Sequence, residues 1–259
     1  MRQLGRRPHD PAAIARAPSL YGHRMASLPP PPKLIRDHVA YQPEMDDNSI
    51  LGDCTAAGLA NAARAAAALN GFGVAIPTDK VVSFYSESCG YVPGDPSTDQ
   101  GGVELDVLGY QLQHGFDASG QTELVGDFAT FDPQDRALFA NAMVRCGTVY
   151  LGVDLSIADQ TTNTWDTNYP ASAGDPTPGG WGGHCLLAWA YTGLSDDDLV
   201  TLVTWGSLMY RATWRWLMDQ RRCQEAHVVI WRQLMRADGV NHAGLDYDRL
   251  RADNMAWAA

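Results

Sequence analysis

Asn48-Ser49-Ile50-Leu51-Gly52-Asp53-Cys54, and the run from Thr55 to Leu69 behind it, decide how the rest of this chain is read. From Cys54 to Leu69 nearly every side chain is small or apolar, and Asn70-Gly71 supplies a helix stop. A helix that is apolar on most sides belongs in an interior, where small side chains let neighbouring backbones approach. Cys54 falls in its first turn, where unpaired N–H groups and the positive end of the helix dipole favour a thiolate. Asp53 is the expected N-cap. The same position also suits a structural cysteine, since free cysteine is among the residues most often buried. Taken alone, the stretch leaves both readings open.

The 259 residues are enough for one large domain or two small ones. No apolar run approaches membrane-spanning length, and the start lacks the pattern of a secretory signal. The five cysteines, Cys54, Cys89, Cys146, Cys185 and Cys223, are odd in number and include no Cys-x-x-Cys pair. This argues against a disulfide framework and against structural zinc, and it fits a reducing compartment. No cofactor is implied, and no His/Asp/Glu cluster has the spacing of metal ligands. Charge is uneven: residues 1–36 hold seven Arg/Lys and one Asp, a net +6, against −11 for the whole chain and hence −17 for residues 37–259. The acidic body is a poor nucleic-acid binder, and the arginines of the arm are dispersed. A basic arm instead suits an acidic protein surface.

Residues 1–33 form that arm, rich in Pro and Arg and including the polyproline run Pro29–Pro32. It is expected to be a strap onto another copy or another protein, or else to pack on its own body. An extended lead-in precedes the Cys54 helix. Further helices are expected from Pro77-Thr78-Asp79, with Thr78 or Asp79 as the cap, to about Ser88, from Val103 to His114 and from Gln134 to Arg145. Strands are expected over 148–155, 185–191, 199–205, 212–218 and 225–231, and a short helix over 247–257. The fold class is therefore α+β, with a helical half over 34–132, a mainly antiparallel sheet or barrel over 133–231, and a tail over 232–259. His114 at a helix end reads as a dipole partner, and His227 within a strand is a weak candidate.

Several motifs in this order resemble the papain-like cysteine peptidases. Asn48 stands six before Cys54 and Gly52 two before it, as in the entry motif of that family. Gly101-Gly102 opens a helix that ends at Gly115. Gly183-His184-Cys185-Leu186-Leu187-Ala188-Trp189-Ala190-Tyr191 is similar to the histidine strand, and Val203-Thr204-Trp205-Gly206 stands where the family has Asn-Ser-Trp-Gly. The likeness spans roughly residues 34–231. It is closest to members encoded by tailed bacteriophages, on Gly52-Asp53-Cys54-Thr55, the Asp95–Asp99 loop and Trp181-Gly182-Gly183-His184.

The resemblance implies a central buried helix and a thiol hydrolase site. In it Cys54 is the nucleophile and His184 the general acid and base. The Cys54 N–H and the Asn48 amide would stabilise an oxyanion. Gly101, Gly102, Gly183 and Trp205 would line the substrate cleft. Two departures count against turnover. Val203 replaces the orienting Asn, and strand alternation turns Thr204 to the opposite face, which leaves the role to a backbone carbonyl or a loop acid. Asp53 puts a carboxylate beside the thiol. Two functions follow: a virion-associated peptidase or amidase, or a catalytically inactive papain-like scaffold in a capsid, decoration or tail. Both place the chain in a virion or the host cytoplasm. The partners would be virion proteins or self-copies bound through residues 1–33, with a peptide as substrate in the first case.

Overall fold

A computed structural model describes residues 4–23, 28–118, 123–234 and 245–259; Arg2 and Arg24 of the basic arm lie outside these. The helices are α1 (Pro11–Arg16), α2 (Cys54–Leu69), α3 (Thr78–Cys89), α4 (Glu104–His114), α5 (Arg136–Cys146), α6 (Trp214–Leu217) and α7 (Tyr247–Ala258). The strands are β1 (Gly126–Phe131), β2 (Val149–Leu155), β3 (Thr164–Trp165), β4 (Gly182–Tyr191), β5 (Leu199–Thr204), β6 (Ser207–Thr213) and β7 (Cys223–Trp231). They form one sheet in the order β1-β7-β2-β4-β5-β6-β3, antiparallel except where β3 meets β6. The chain is thus α+β, helical in its first half and sheet-forming in its second. No helix among the described residues is long and apolar enough to cross a membrane.

β4 lies between β2 and β5 and is buried on both faces, which is why it reads as a continuous apolar run. Cys185, Leu187 and Trp189 face the core shared with α2, α3 and α4. Leu186 and Ala188 face a second core, where α5 and α6 pack. α2 is buried along almost its whole length. Small residues make this packing feasible: a Cβ on Gly58 would stand 3.2 Å from the Tyr150 ring and 3.3 Å from the Cys185 sulfur. Tyr150 in turn donates its hydroxyl to the Thr55 carbonyl at 2.9 Å, tying the first turn of α2 to β2.

The loop before α2 is held just as firmly. The Arg64 guanidinium pairs with buried Asp46, and Asn61 makes two 2.9 Å hydrogen bonds with the backbone of Glu44. Asp46 and Asp47 take left-handed backbone angles, φ 52° and 63°, which short polar side chains tolerate better than most. These ties fix where residues 48–53 deliver Cys54.

Four local expectations are corrected. The strand expected over 212–218 is the end of β6 followed by one helical turn, because Thr213 caps Trp216 and both tryptophans of Trp214-Arg215-Trp216 are buried. Strand β1 was not foreseen; all six of its residues are buried, so it lacks the alternation that marks a half-exposed strand. Pro77, not Thr78 or Asp79, occupies the N-cap of α3. α5 starts at Arg136, where the Asp135 carboxylate accepts from the Leu138 N–H at 3.0 Å. α7 covers the free edge of β1: Asn254 accepts from the Phe128 N–H and donates to its carbonyl, at 3.0 and 2.8 Å.

Candidate active site

Cys54 opens α2 and is 1% exposed. Backbone hydrogen bonding from Cys185, the residue after His184, and from Gly5 of the N-terminal arm works to lower the thiol. Burial nevertheless dominates, and with the nearby acids Glu104 and Asp53 it pushes the thiol up to about 12. Asp53 does not cap α2 with its side chain; only its carbonyl does so, accepting from Ala57 at 2.9 Å. Its buried carboxyl is driven well above the ordinary range by desolvation, although Asn48 works against this. Asn48, expected to help stabilise an oxyanion, is engaged locally. Its amide donates to Asp53 Oδ1 at 3.0 Å and more distantly to the Leu51 carbonyl at 3.4 Å.

His184 sits at the start of β4, fully buried. Its Nε2 lies 2.6 Å from Thr204 Oγ1. The sequence reading excluded Thr204 because it points away from Val203, and here the register corrects it. Val203 pairs with Leu187, so Thr204 projects on the opposite face, that of Leu186 and of His184 two residues before it. Thr204 therefore shares a face with His184 and reaches its ring. The indole of Trp205 stacks on the His184 ring at 4.3 Å and 15°, and its own neighbour Trp181 stacks at 5.5 Å. This placement costs Trp205 a left-handed φ of 46°, which sets it apart from ordinary strand geometry. Asn48, Cys54, Cys185, Thr204 and Trp205 line one small recess.

The glycines expected to line a substrate cleft, Gly101, Gly102 and Gly183, stand against residues of the N-terminal arm. The Gly102 N–H donates to the Gly5 carbonyl at 2.7 Å, and the Arg7 N–H donates to the Gly102 carbonyl at 2.8 Å. The Arg6 N–H donates to the Gly183 carbonyl at 3.1 Å. Room for this strand exists only because the walls lack side chains. A Cβ on Gly101 would fall 1.7 Å from the Gly5 carbonyl oxygen, and one on Gly183 would fall 2.6 Å from that of Arg6. Leu4 packs at Gly182. Residues 4–7 thus run between the Gly101-Gly102 turn and the start of β4, with Gly5 over the thiol.

Sequence reasoning missed the anchor of this segment. The Arg6 side chain is 1% exposed. Its Nε lies 3.1 Å from Glu104 Oε1, and Nη1 reaches Asp154 Oδ1 at 3.2 Å and Gln224 Oε1 at 3.0 Å. Nη2 bonds to Glu225 Oε1. A bulge between Gly152 and Val153 in the β2–β7 register lets both Gln224 and Glu225 reach the same guanidinium. His9 and His227 flank Glu225 at 2.7 and 3.5 Å. The available signal was charge inside a buried strand, Glu225 and His227 in β7. His227 was noted alone; its partner was not.

No family model matches this chain, and no curated protein sequence does. Solved structures do. Xylellain, a cysteine protease from Xylella fastidiosa, is similar over 89% of this chain and 97% of its own, with 14% identity and a TM-score of 0.63. Digestive procathepsin L 3 of Tenebrio molitor larval midgut is similar over 85% and 77%, with 15% identity and a TM-score of 0.57. ProCathepsin B S9 from Trypanosoma congolense is similar over 88% and 86%, with 9% identity and a TM-score of 0.58. The fold is papain-like. At such identities the likeness speaks for architecture, and the chemistry rests on the residues of the papain-like cleft itself.

Proposed function

We propose that this chain is a papain-like cysteine peptidase held latent by its own N-terminal segment. The observation that carries this is the seat of residues 4–7, bonded through their backbone to Gly102 and Gly183 with Gly5 over Cys54. Backbone pairing of an extended segment in a cleft is how a sheet edge or loop receives a peptide of any sequence. The segment blocks without being cut, since the Gly5 carbonyl is committed to the Gly102 N–H. Two of the similar structures bear names of proforms, which agrees with a latent state.

Once a peptide replaces the segment, His184 takes the Cys54 proton and the sulfur attacks the scissile carbonyl. The C–N bond breaks as His184 returns the proton to the leaving amine, and water then hydrolyses the thioester. Thr204 fixes the ring through Nε2, and Trp205 shields it from water. The Cys54 N–H is the oxyanion donor, while Asn48 holds Asp53. A thiol-directed acylating probe tests the reading. Labelling should follow displacement of residues 4–7, as in Arg6→Ala, and be lost in Cys54→Ala; a folded, displaced protein that takes no label refutes it.

One observation favours a second reading, a silent papain-like scaffold: the thiol is covered and neutral. In that case displacement leaves Cys54 unlabelled while the fold stands. Kinship with bacteriophage-encoded members, and a place in a virion, rest on the sequence motifs alone. The described residues of the arm also bond within their own chain, at Gly102, Gly183 and, through Pro18, at the Thr130 N–H of β1.

A further inference from the structure

The backbone bond of Arg6 to Gly183 could be made by any residue and does not by itself call for an arginine. Its side chain nevertheless enters a built pocket. Glu104 comes from the first turn of α4, Asp154 from β2, and Gln224 and Glu225 from the bulge of β7. Both glutamates are fully buried as side chains. The floor is Gly152, where a Cβ would stand 2.5 Å from Arg6 Nε and 2.7 Å from Glu104 Oε1, so a larger residue would fill the space the guanidinium takes. His9 and His227 are the other titratable groups against Glu225. Burial alone would raise Glu225, but His227 and Arg6 outweigh it and hold the carboxyl down at about 2. Glu104, deeper, is driven up by burial.

Resting on the peptidase reading, we infer that this pocket is a specificity site for a basic side chain, and that Arg6 occupies it as a stand-in for an arginine or lysine of the substrate beside the residue held over Cys54. Three acidic side chains converge here on one guanidinium, and two of them have no access to water. With the arm gone, a peptide carrying a cation in this position restores the pairing; a neutral or acidic one leaves buried carboxylates unpaired. Sites built of buried polar groups reject ligands that cannot pair with them far more strongly than apolar pockets reject a misfit.

The test uses the full chain carrying Arg6→Ala, with Gly5→Val as a second way to displace the arm, since a Cβ on Gly5 would meet the Gly52 carbonyl oxygen at 1.8 Å. Binding of arginine amide is compared by calorimetry with that of citrulline amide, its uncharged isostere, in a Cys54→Ala background that needs no turnover. Arginine amide should bind at least about a hundredfold more tightly, by the discrimination such buried sites achieve, and Glu225→Gln should abolish the difference. Equal binding of the two amides by folded protein, in both displaced variants, overturns the pocket assignment. Selective binding without Cys54 labelling upholds the pocket and refutes only the peptidase reading. In cleavage of matched peptides, an arginine preference that survives Glu225→Gln also overturns the assignment.

Discussion

The Cys54 recess and the Arg6 pocket are one arm residue apart, and they are opposites in charge. Around Cys54 burial works toward neutrality: the thiol is pushed up to about 12 and the Asp53 carboxyl is raised as well. Around Arg6 a permanent cation gathers Glu104, Asp154 and Glu225. The grip on the arm therefore comes from charge and the quiet of the thiol from desolvation, and the two should separate experimentally.

The largest effect should be on the pH profile of Cys54 alkylation by iodoacetamide. A thiol pushed up to about 12 gains thiolate tenfold per pH unit, so the rate in the intact chain should rise about a thousandfold from pH 8 to 11. A profile already flat above pH 9 would mean the thiol is not held in a desolvated state. The same shift lowers stability over that range, because the folded thiol keeps its proton where the unfolded one, near 9, has lost it.

Next in size is Arg6→Ala. Removing one partner of a buried ion cluster costs about 3–5 kcal/mol, which here falls mainly on arm docking. Alkylation at pH 8 should accelerate at least about a hundredfold. An unchanged rate would show that backbone bonds alone hold the segment.

The two glutamates should then differ from each other. Glu104 is pushed toward its neutral form, so Glu104→Gln should be mild, whereas Glu225→Gln removes the ionised partner and should cost about 1.5–3 kcal/mol. The Glu225 contribution is complete above about pH 4.5, its ordinary value, and is lost as pH falls toward about 2. Thermal unfolding between pH 2 and 6 should therefore show an acid limb in the parent that is reduced in Glu225→Gln. Equal costs for the two substitutions would place the charge on both carboxyls.

The smallest effect is that of Thr204→Val, which takes the Nε2 partner from His184. It should slow acylation of Cys54 in the displaced protein by about tenfold, the equivalent of one lost hydrogen bond of about 1–1.5 kcal/mol. Thr204→Ser should retain the rate. If valine and serine behave alike, Thr204 packs the ring without orienting it.

Much of the architecture was legible because its causes are local. The small-residue run of α2, the stop at Asn70-Gly71, the apolar continuity of β4 and the α+β order follow from periodicity and turn chemistry. The pairing of Cys54 with the His184 strand, and the glycines of the cleft, were reached through motif order. Failures came where a neighbour overrode the local pattern: Thr204 was judged on its own strand's alternation, without the β4 register that sets its face.

Sequence alone determined most of the elements, a helix-borne cysteine and a basic, proline-rich arm. Only the tertiary structure decided what the arm does. Arg6 meets Glu104 98 positions away and Glu225 219 positions away. No local propensity links residues so far apart; their meeting is set by how α4, β2 and β7 pack, which exists only once the chain has closed on itself.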